Sequence, residues 1–191
     1  FTMVIDCGYL AAILAIVLRE IIVGKNWRNL MVVGPIGLFF ISNMMFYIEV
    51  MQNGESDYAR RLGFAVVIFL IVLIGGRIIP SFTRNWLVKN NPGPLPTPMN
   101  KFDKLCLVSA AVALLPWVGA PEWLGSNGAL VVAASLHFAR LLRWQGLRAR
   151  TNMLLLMLHI AYAFTPLGLL LLAVGQAVSS LHILGIGAIG G

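Results

Sequence analysis

Long stretches without a single charged residue constrain this chain more than any other feature. One such stretch covers residues 153–174 and another covers residues 64–75. A helix needs roughly 20 apolar residues to cross a hydrocarbon core about 30 Å thick. Only 11% of the residues are charged, whereas about a quarter of the residues of a soluble domain are charged. The sequence therefore excludes an ordinary soluble domain. It also excludes a disordered chain, because 59% of the residues are hydrophobic and can be buried.

These stretches predict an all-α protein, a polytopic bundle of membrane helices that forms one membrane-embedded domain over residues 1–191. Transmembrane β-barrels alternate apolar and polar residues over about 10 positions, and residues 64–75 do not alternate. With short loops, the 191 residues accommodate about seven spans. The candidate helices cover residues 3–23, 30–51, 59–79, 105–120, 129–144 and 153–174, and a last helix opens near Val178.

The basic residues are segregated between alternate loops. All of them except Arg60 and Arg61 lie in or beside the loops after spans 1, 3 and 5. These residues are Arg19, Lys25, Arg28, Arg77, Arg84, Lys89, Lys101, Lys104, Arg140, Arg143, Arg148 and Arg150. Because cytoplasmic loops carry an excess of lysine and arginine, we predict that these three loops are cytoplasmic. The net charge of +7 is then explained by membrane lipids as partners, without nucleic acid.

The longest predicted loop covers residues 80–103. Its centre alternates proline with other residues at Pro92, Pro94, Pro96 and Pro98. Proline has no backbone N–H and favours an extended, stiff chain. The segment therefore predicts a Pro-rich cytoplasmic connector between the third and fourth helices, with Pro80 ending or kinking the third helix.

All three histidines, His137, His159 and His182, fall inside predicted spans. A polar ring in hydrocarbon costs free energy unless it faces the bundle and finds a partner. Neutral imidazole binds haem iron, copper and zinc, and facing helices are where bundles build such sites. His137 and His159 are expected near the membrane midplane and His182 nearer the outer surface, so the three are candidate metal ligands. Alternatively, each histidine hydrogen-bonds a neighbouring helix and only holds the bundle together.

Two arginines are candidates for binding the carboxylates of a cofactor. Arg140 follows His137 by three residues and lies on the same helix face, and an arginine binds the propionate of a haem in a bidentate manner. Arg77 precedes the end of the third predicted span by one turn, where an anion or a propionate is a candidate partner. Alternatively, Arg140 extends to the cytoplasmic headgroups and Arg77 marks the membrane boundary.

Four motifs, in order along the chain, carry a resemblance to a known family. The most specific is Gly-Gly-Arg-Ile-Ile-Pro-Ser-Phe-Thr-Arg-Asn-Trp at residues 75–86. It is followed by Arg-Leu-Leu-Arg-Trp at 140–144, Leu-His-Ile-Ala-Tyr at 158–162, and His182 with Gly-Ala-Ile-Gly at 187–190. Together they resemble the NnrS family, bacterial inner-membrane proteins linked to nitric oxide stress that contain haem and copper.

The resemblance implies a multi-pass protein of the bacterial inner membrane that binds haem, with copper as a second metal, and responds to nitric oxide. His159 and His182 fall on the family's histidine positions, and Arg77 and Arg84 on its arginines. Members of the family have about twelve spans, so we expect this chain to be the middle part of a protein about twice as long. Ile183 and Gly185 replace the Ala and Thr expected beside the last histidine.

A metal-free transporter or scaffold is the alternative function. Interrupted helices build binding sites in transporters, and Pro116 and Pro166 interrupt the fourth and sixth spans. In that case Arg77 and a broken third helix would form an anion site. The sequence contains no GxSxG, HExxH or phosphate-binding loop, so it assigns no catalytic residue.

Overall fold

A computed structural model describes residues 2–190, with the side chain of Arg28 excluded; Phe1 and Gly191, the ends of the predicted domain, lie outside this range. The described residues form seven α-helices joined by short connections and contain no strand. The helices are α1 (Thr2–Val23), α2 (Leu30–Asn53), α3 (Tyr58–Asn90), α4 (Lys101–Gly119), α5 (Leu124–Leu142), α6 (Met153–Ala173) and α7 (Ala177–His182). A π-helical segment, Ile183–Ile189, continues α7. The prediction of an all-α protein with seven helical segments is confirmed.

Four of the described helices, α2, α3, α4 and α6, are long and apolar enough to cross a membrane. The sequence predicted about seven spans, which is more than these four helices. α5 has 19 residues but carries His137 and Arg140 in its second half, and both side chains are buried against other helices. The chain is thus a multi-pass helical membrane protein.

The fold divides into two compact units, residues 1–70 and residues 71–191. In the first unit, α1 and α2 exchange polar contacts: the Tyr47 hydroxyl donates to Asp6, and Asn43 donates to the Cys7 sulfur. Glu49, near the end of α2, accepts hydrogen bonds from the Ala59 backbone N–H at 3.1 Å and from the Ser56 hydroxyl at 2.9 Å. This carboxylate satisfies donors at the start of α3, where a negative charge also suits the helix dipole.

α3 continues through Pro80 to Asn90. Of the two predicted effects of Pro80, an end or a kink of the helix, the helix end is wrong. The segment without regular structure is therefore residues 91–100 rather than 80–103. Proline removes one helical hydrogen bond, and membrane helices tolerate it where neighbouring groups satisfy the freed carbonyl. The broken third helix of the transporter alternative is absent from residues 58–90.

In the second unit, α5 packs between α4 and α6, and α7 packs on α6. The Ser180 hydroxyl donates to the Gly168 carbonyl at 2.8 Å, and the π-helical segment packs its Gly187 against Phe164. Ser180 contacts Gly168, and the later residue Gly187 contacts the earlier residue Phe164. α7 and the π-helical segment therefore run antiparallel to α6. The segments 91–100 and 143–152 also meet, because Asn91 donates to the Arg148 carbonyl at 3.1 Å.

α4 begins with a capping box. The Asn100 side chain accepts from the Phe102 N–H at 2.9 Å, and the Asp103 carboxylate accepts from the Asn100 N–H at 3.0 Å. Two N–H groups that lack helical partners are thereby satisfied.

We expect Asn100→Ala to lower the free energy of unfolding of the full-length protein by about 1 kcal/mol, because the substitution removes one half of this box. SDS titration of the purified protein in detergent measures the change. Asn85→Ala is the control, since Asn85 is exposed within α3. Equal effects of the two substitutions would contradict a capping role for Asn100.

Candidate functional site

A buried polar network centred on Arg140 connects four helices of the second unit. The Arg140 side chain is fully buried, and its Nε donates to Oδ1 of Asp103 at 2.9 Å. Nη1 donates to the Val72 carbonyl at 2.9 Å and to the Tyr162 hydroxyl at 3.3 Å. Nη2 donates to the Gly76 carbonyl at 3.4 Å. Arg140 therefore lies inside the bundle, with an acid, a phenol and two carbonyls as acceptors, and does not extend to the headgroups as the alternative interpretation of the sequence had it.

The α3 sequence explains why one of these carbonyls is free to accept. In an α-helix the carbonyl of Gly76 would accept from the N–H of residue 80, but that residue is proline and has none. Arg140 supplies the missing donor. Gly76 also allows the approach, because a Cβ at this position would lie 2.5 Å from Cζ of Arg140 and closer still to both Nη atoms.

Asp103 balances the charge of Arg140 and also forms part of the capping box of α4. Oδ1 accepts from Arg140, Oδ2 accepts from the Asn100 N–H, and Nη1 of Arg143 lies 3.9 Å from Oδ2. The carboxylate is 5% exposed. A buried charge persists where it is paired and hydrogen-bonded, and both conditions hold for this pair.

His137 is buried, and protein groups engage both of its ring nitrogens. Nδ1 lies 2.7 Å from the Tyr162 hydroxyl, and Nε2 lies 3.1 Å from the Cys106 carbonyl. A carbonyl only accepts, so Nε2 carries the proton, and Nδ1 accepts from Tyr162. His137 thereby joins the Arg140 network through Tyr162, and neither nitrogen is open to a metal in this arrangement.

His159 differs from His137 because one of its nitrogens has no hydrogen-bond partner. Its Nδ1 donates to the Leu155 carbonyl one turn earlier, at 2.7 Å. Nε2 is buried, and although the Trp144 backbone lies near the ring, no group meets hydrogen-bond geometry at this atom. The ring edge packs on Gly146, where a Cβ would lie 2.9 Å from Nε2. The side chain is oriented like a metal ligand, but the chain segment at Gly146 covers it closely.

His182 is exposed at the end of α7. Its Nδ1 donates to the Val178 carbonyl at 2.8 Å. This bond leaves the lone pair on Nε2, which is the arrangement of metal-binding histidines whose other nitrogen donates to a backbone carbonyl. The residue next to it begins the π-helical segment, a rare geometry frequently found at functional sites.

The structure does not bring the three histidines together. Aromatic rings separate His137 from His159: Tyr162 and Trp144 stack edge to face with their centroids 4.5 Å apart, and each contacts one of the two histidines. His182 and His159 lie about 10 Å apart along the axis of α6, from a rise of 1.5 Å per residue. Both rings point toward the N-terminal ends of antiparallel helices, so they point away from each other. Among residues 2–190, no three His, Cys, Asp or Glu side chains gather as a metal site.

Arg77 lies on α3 beside the network but does not join it. Its side chain is partly exposed, and no hydrogen bond or ion pair to another described residue is found. Arg84, two turns later, is exposed. Both arginines were predicted to bind a carboxylate of a cofactor. Arg140 pairs instead with Asp103 of the protein itself, and Arg77 is open to an external anion.

Comparison with known proteins identifies the chain. The family model described as NnrS protein matches residues 1–191, the whole sequence. The chain belongs to the NnrS family. No curated protein and no solved structure matches it.

The motif that carried the NnrS resemblance builds the Arg140 network. A Cβ at Gly75 would lie 3.4 Å from the Tyr162 ring, Gly76 admits the guanidinium, and Pro80 frees the carbonyl that Arg140 binds. In this NnrS chain the Gly-Gly-Arg-Ile-Ile-Pro segment is therefore a docking surface for α5 and α6.

Sequence reasoning missed Asp103, Tyr162 and Trp144 as members of this site. Asp103 is the single acid between Asp57 and Glu122, and an acid at the start of an apolar helix signals a buried partner such as Arg140. Trp144 and Tyr162 stand inside two of the NnrS motifs. Their roles depend on which faces of α5 and α6 pack together, and the spacing of residues along one helix does not determine this.

Proposed function

We propose that this protein binds haem through its intramembrane histidines, with copper as a second metal, and acts in the bacterial response to nitric oxide. Membership of the NnrS family and the membrane helices support the proposal. The observation that carries it is the chemistry of His159 and His182. In each ring Nδ1 donates to a carbonyl one turn earlier, which leaves the Nε2 lone pair for a metal.

The donor set offers one histidine nitrogen at each of two separate places, His159 and His182, rather than two nitrogens at one place. Two nitrogens that ligate one ion lie within about 4 Å of each other, since each bond is about 2 Å, and the axial offset of His159 and His182 exceeds this value. The buried, unpaired Nε2 of His159 costs about 1–3 kcal/mol without a partner. A ligand at this atom would remove that cost, provided that the segment at Gly146 shifts.

A haem held by one histidine would supply iron that binds nitric oxide, whereas a haem held by two histidines would favour electron transfer. In this chain His182 and His159 are the proposed ligands, and Arg77 is the proposed partner of a haem carboxylate. Arg140 and His137 have a structural role instead: their hydrogen bonds hold α3, α4, α5 and α6 in place around Tyr162. His137 can serve as a metal ligand only if the hydrogen bond between the Tyr162 hydroxyl and Nδ1 of His137 breaks.

We further propose that the protein has about seven spans in these residues, lies in the inner membrane, and places the loops after spans 1, 3 and 5 in the cytoplasm. The contact of segments 91–100 and 143–152 supports a common side for two of these loops. The excess of lysine and arginine on that side supports a cytoplasmic location for these loops.

We expect the purified full-length protein to show a haem absorption that shifts on reduction with dithionite and again on addition of nitric oxide. His182→Gln and His159→Gln are expected to abolish or shift this absorption, because glutamine offers no imidazole ligand. His137→Gln is the matched control, since the protein engages both nitrogens of His137; it should keep the spectrum and lose stability.

Metal analysis of the same samples assigns iron and copper to individual histidines. A folded, colourless and metal-free protein would reject the haem proposal and favour the metal-free transporter or scaffold. Loss of the spectrum in His137→Gln alone would reject the ligand assignment while leaving haem binding intact.

A further inference from the structure

A basic cleft lies at the end of the second unit where α3 finishes and α6 begins. It has a volume of about 380 Å³. Its lining combines an aromatic ring, three amide or hydroxyl side chains, one leucine and two arginines: Trp86, Asn90, Asn91, Thr151, Leu147, Arg148 and Arg150. No acidic side chain lines it. The haem proposal uses none of these residues.

The positive charge of this cleft is not neutralised within the described residues. Arg148 donates to the carbonyls of Asn91 at 3.0 Å and Pro92 at 3.1 Å, and also to that of Pro94. These acceptors carry no formal charge, so the charge of the guanidinium remains. Arg150 is exposed, and no hydrogen bond or ion pair from it to another described residue is found. Asp103, the acid nearest in sequence to the α3 side of the cleft, is already paired with Arg140 and Arg143.

The cleft is held in shape by the backbone. Gln145 has a left-handed backbone conformation, with φ 56°, and leads into the tight turn Gly146–Ala149 that carries Arg148. On the facing segment, Gly93 has φ 140°, and a Cβ at this position would meet the Arg148 guanidinium. The Asn91 side chain completes the clamp by donating to the Arg148 carbonyl. Because these bonds hold Arg148 and Asn91, Arg150 and Thr151 are left to meet a ligand. Asn90 donates one amide hydrogen to the Trp86 carbonyl at 2.9 Å and keeps the other.

The surroundings of the cleft match the level of lipid headgroups. Leu147 is 82% exposed, and at the start of α6 Met153 and Leu154 are 66% and 68% exposed, so apolar side chains point outward directly beside the arginines. Trp86, on the wall of the cleft, is a residue type enriched at the membrane–water interface. Basic pockets between membrane helices bind anionic lipid headgroups.

We propose that this cleft binds the phosphate headgroup of an anionic phospholipid. Arg150 donates to the phosphate, Arg148 contributes a fixed positive charge, and Asn90 and Thr151 offer further hydrogen bonds. Leu147 and Trp86 contact the glycerol and the first acyl carbons. A bound lipid would tie the segment 143–152 to the end of α3.

The test is thermal unfolding of the full-length protein in detergent, titrated with phosphatidylglycerol, phosphatidylcholine or inorganic phosphate. We expect phosphatidylglycerol to raise the melting temperature saturably and more than phosphatidylcholine does. Arg150→Gln is expected to weaken the apparent affinity for phosphatidylglycerol about fivefold, as one basic residue near the surface contributes about 1 kcal/mol. Lys104→Gln is the matched control, because Lys104 is an exposed cation at the start of α4 and does not line the cleft.

Each outcome decides the proposal. Loss of affinity in Arg150→Gln but not in Lys104→Gln supports a defined lipid site. Equal losses in both variants would show diffuse attraction to the membrane and overturn it. A saturable effect of inorganic phosphate equal to that of phosphatidylglycerol would assign the cleft to free phosphate, and no difference between the two lipids would overturn the anionic headgroup. Because no haem is involved, failure of this test leaves the haem proposal unaffected.

Discussion

Replacing Arg140 with methionine is expected to destabilise the full-length protein by about 3–5 kcal/mol, because it leaves the buried carboxylate of Asp103 without its main partner. The two side chains are 0% and 5% exposed, so water does not replace the lost bonds. The carbonyl of Gly76 also loses its donor, since Pro80 provides none. SDS titration of the purified protein measures the free energy of unfolding.

Arg143→Met is the matched control for this loss of charge. Arg143 lies 3.9 Å from the same carboxylate but is 26% exposed, so we expect a loss of less than about 1 kcal/mol. Adding Asp103→Asn to Arg140→Met should recover part of the stability, because the remaining amide is neutral and its oxygen still accepts from the Asn100 N–H. If the two arginine variants were equally stable, the network would not hold the helices together.

The helices themselves could be predicted from the sequence, because the length of each uncharged apolar stretch reports directly on the solvent that surrounds the segment. All seven segments appear, with most ends within a few residues of the prediction. The main difference is at Pro80, where α3 continues. A local rule ends helices at proline, but here Arg140, 60 positions later, satisfies the freed carbonyl. A contact between distant residues thus overrides the local preference.

The site was less predictable than the helices, because spacing along one helix does not determine which faces meet. His137 and Arg140 lie on one face of α5, as the three-residue spacing predicted, and both are buried. Their partners, Tyr162 and Asp103, come from α6 and α4. His137 and His159, both expected near the membrane midplane, do not meet, because Trp144 and Tyr162 occupy the space between them.

Gly76→Ala is expected to destabilise the protein by about 1–3 kcal/mol, the usual cost of adding atoms to a well-packed interior. The new methyl group would lie 2.5 Å from Cζ of Arg140, and bonds to Asp103 and Tyr162 hold the guanidinium in place. Elsewhere in a helix the same change stabilises by about 0.5–1 kcal/mol, since alanine restricts the unfolded chain. SDS titration again measures the difference.

Gly128→Ala provides the matched control, since Gly128 lies within α5 and a Cβ there meets no atom within 4 Å. We expect this variant to be as stable as the wild type or more stable. The decisive comparison adds Gly76→Ala to the Arg140→Met variant. Methionine lacks the planar guanidinium and can bend away from α3, so the added methyl group should cost far less there than in the wild type. Such coupling between contacting positions is read from the double-mutant cycle. Additive losses would mean that Gly76 and Arg140 do not touch and that the Gly-Gly-Arg-Ile-Ile-Pro segment is not a docking surface for α5.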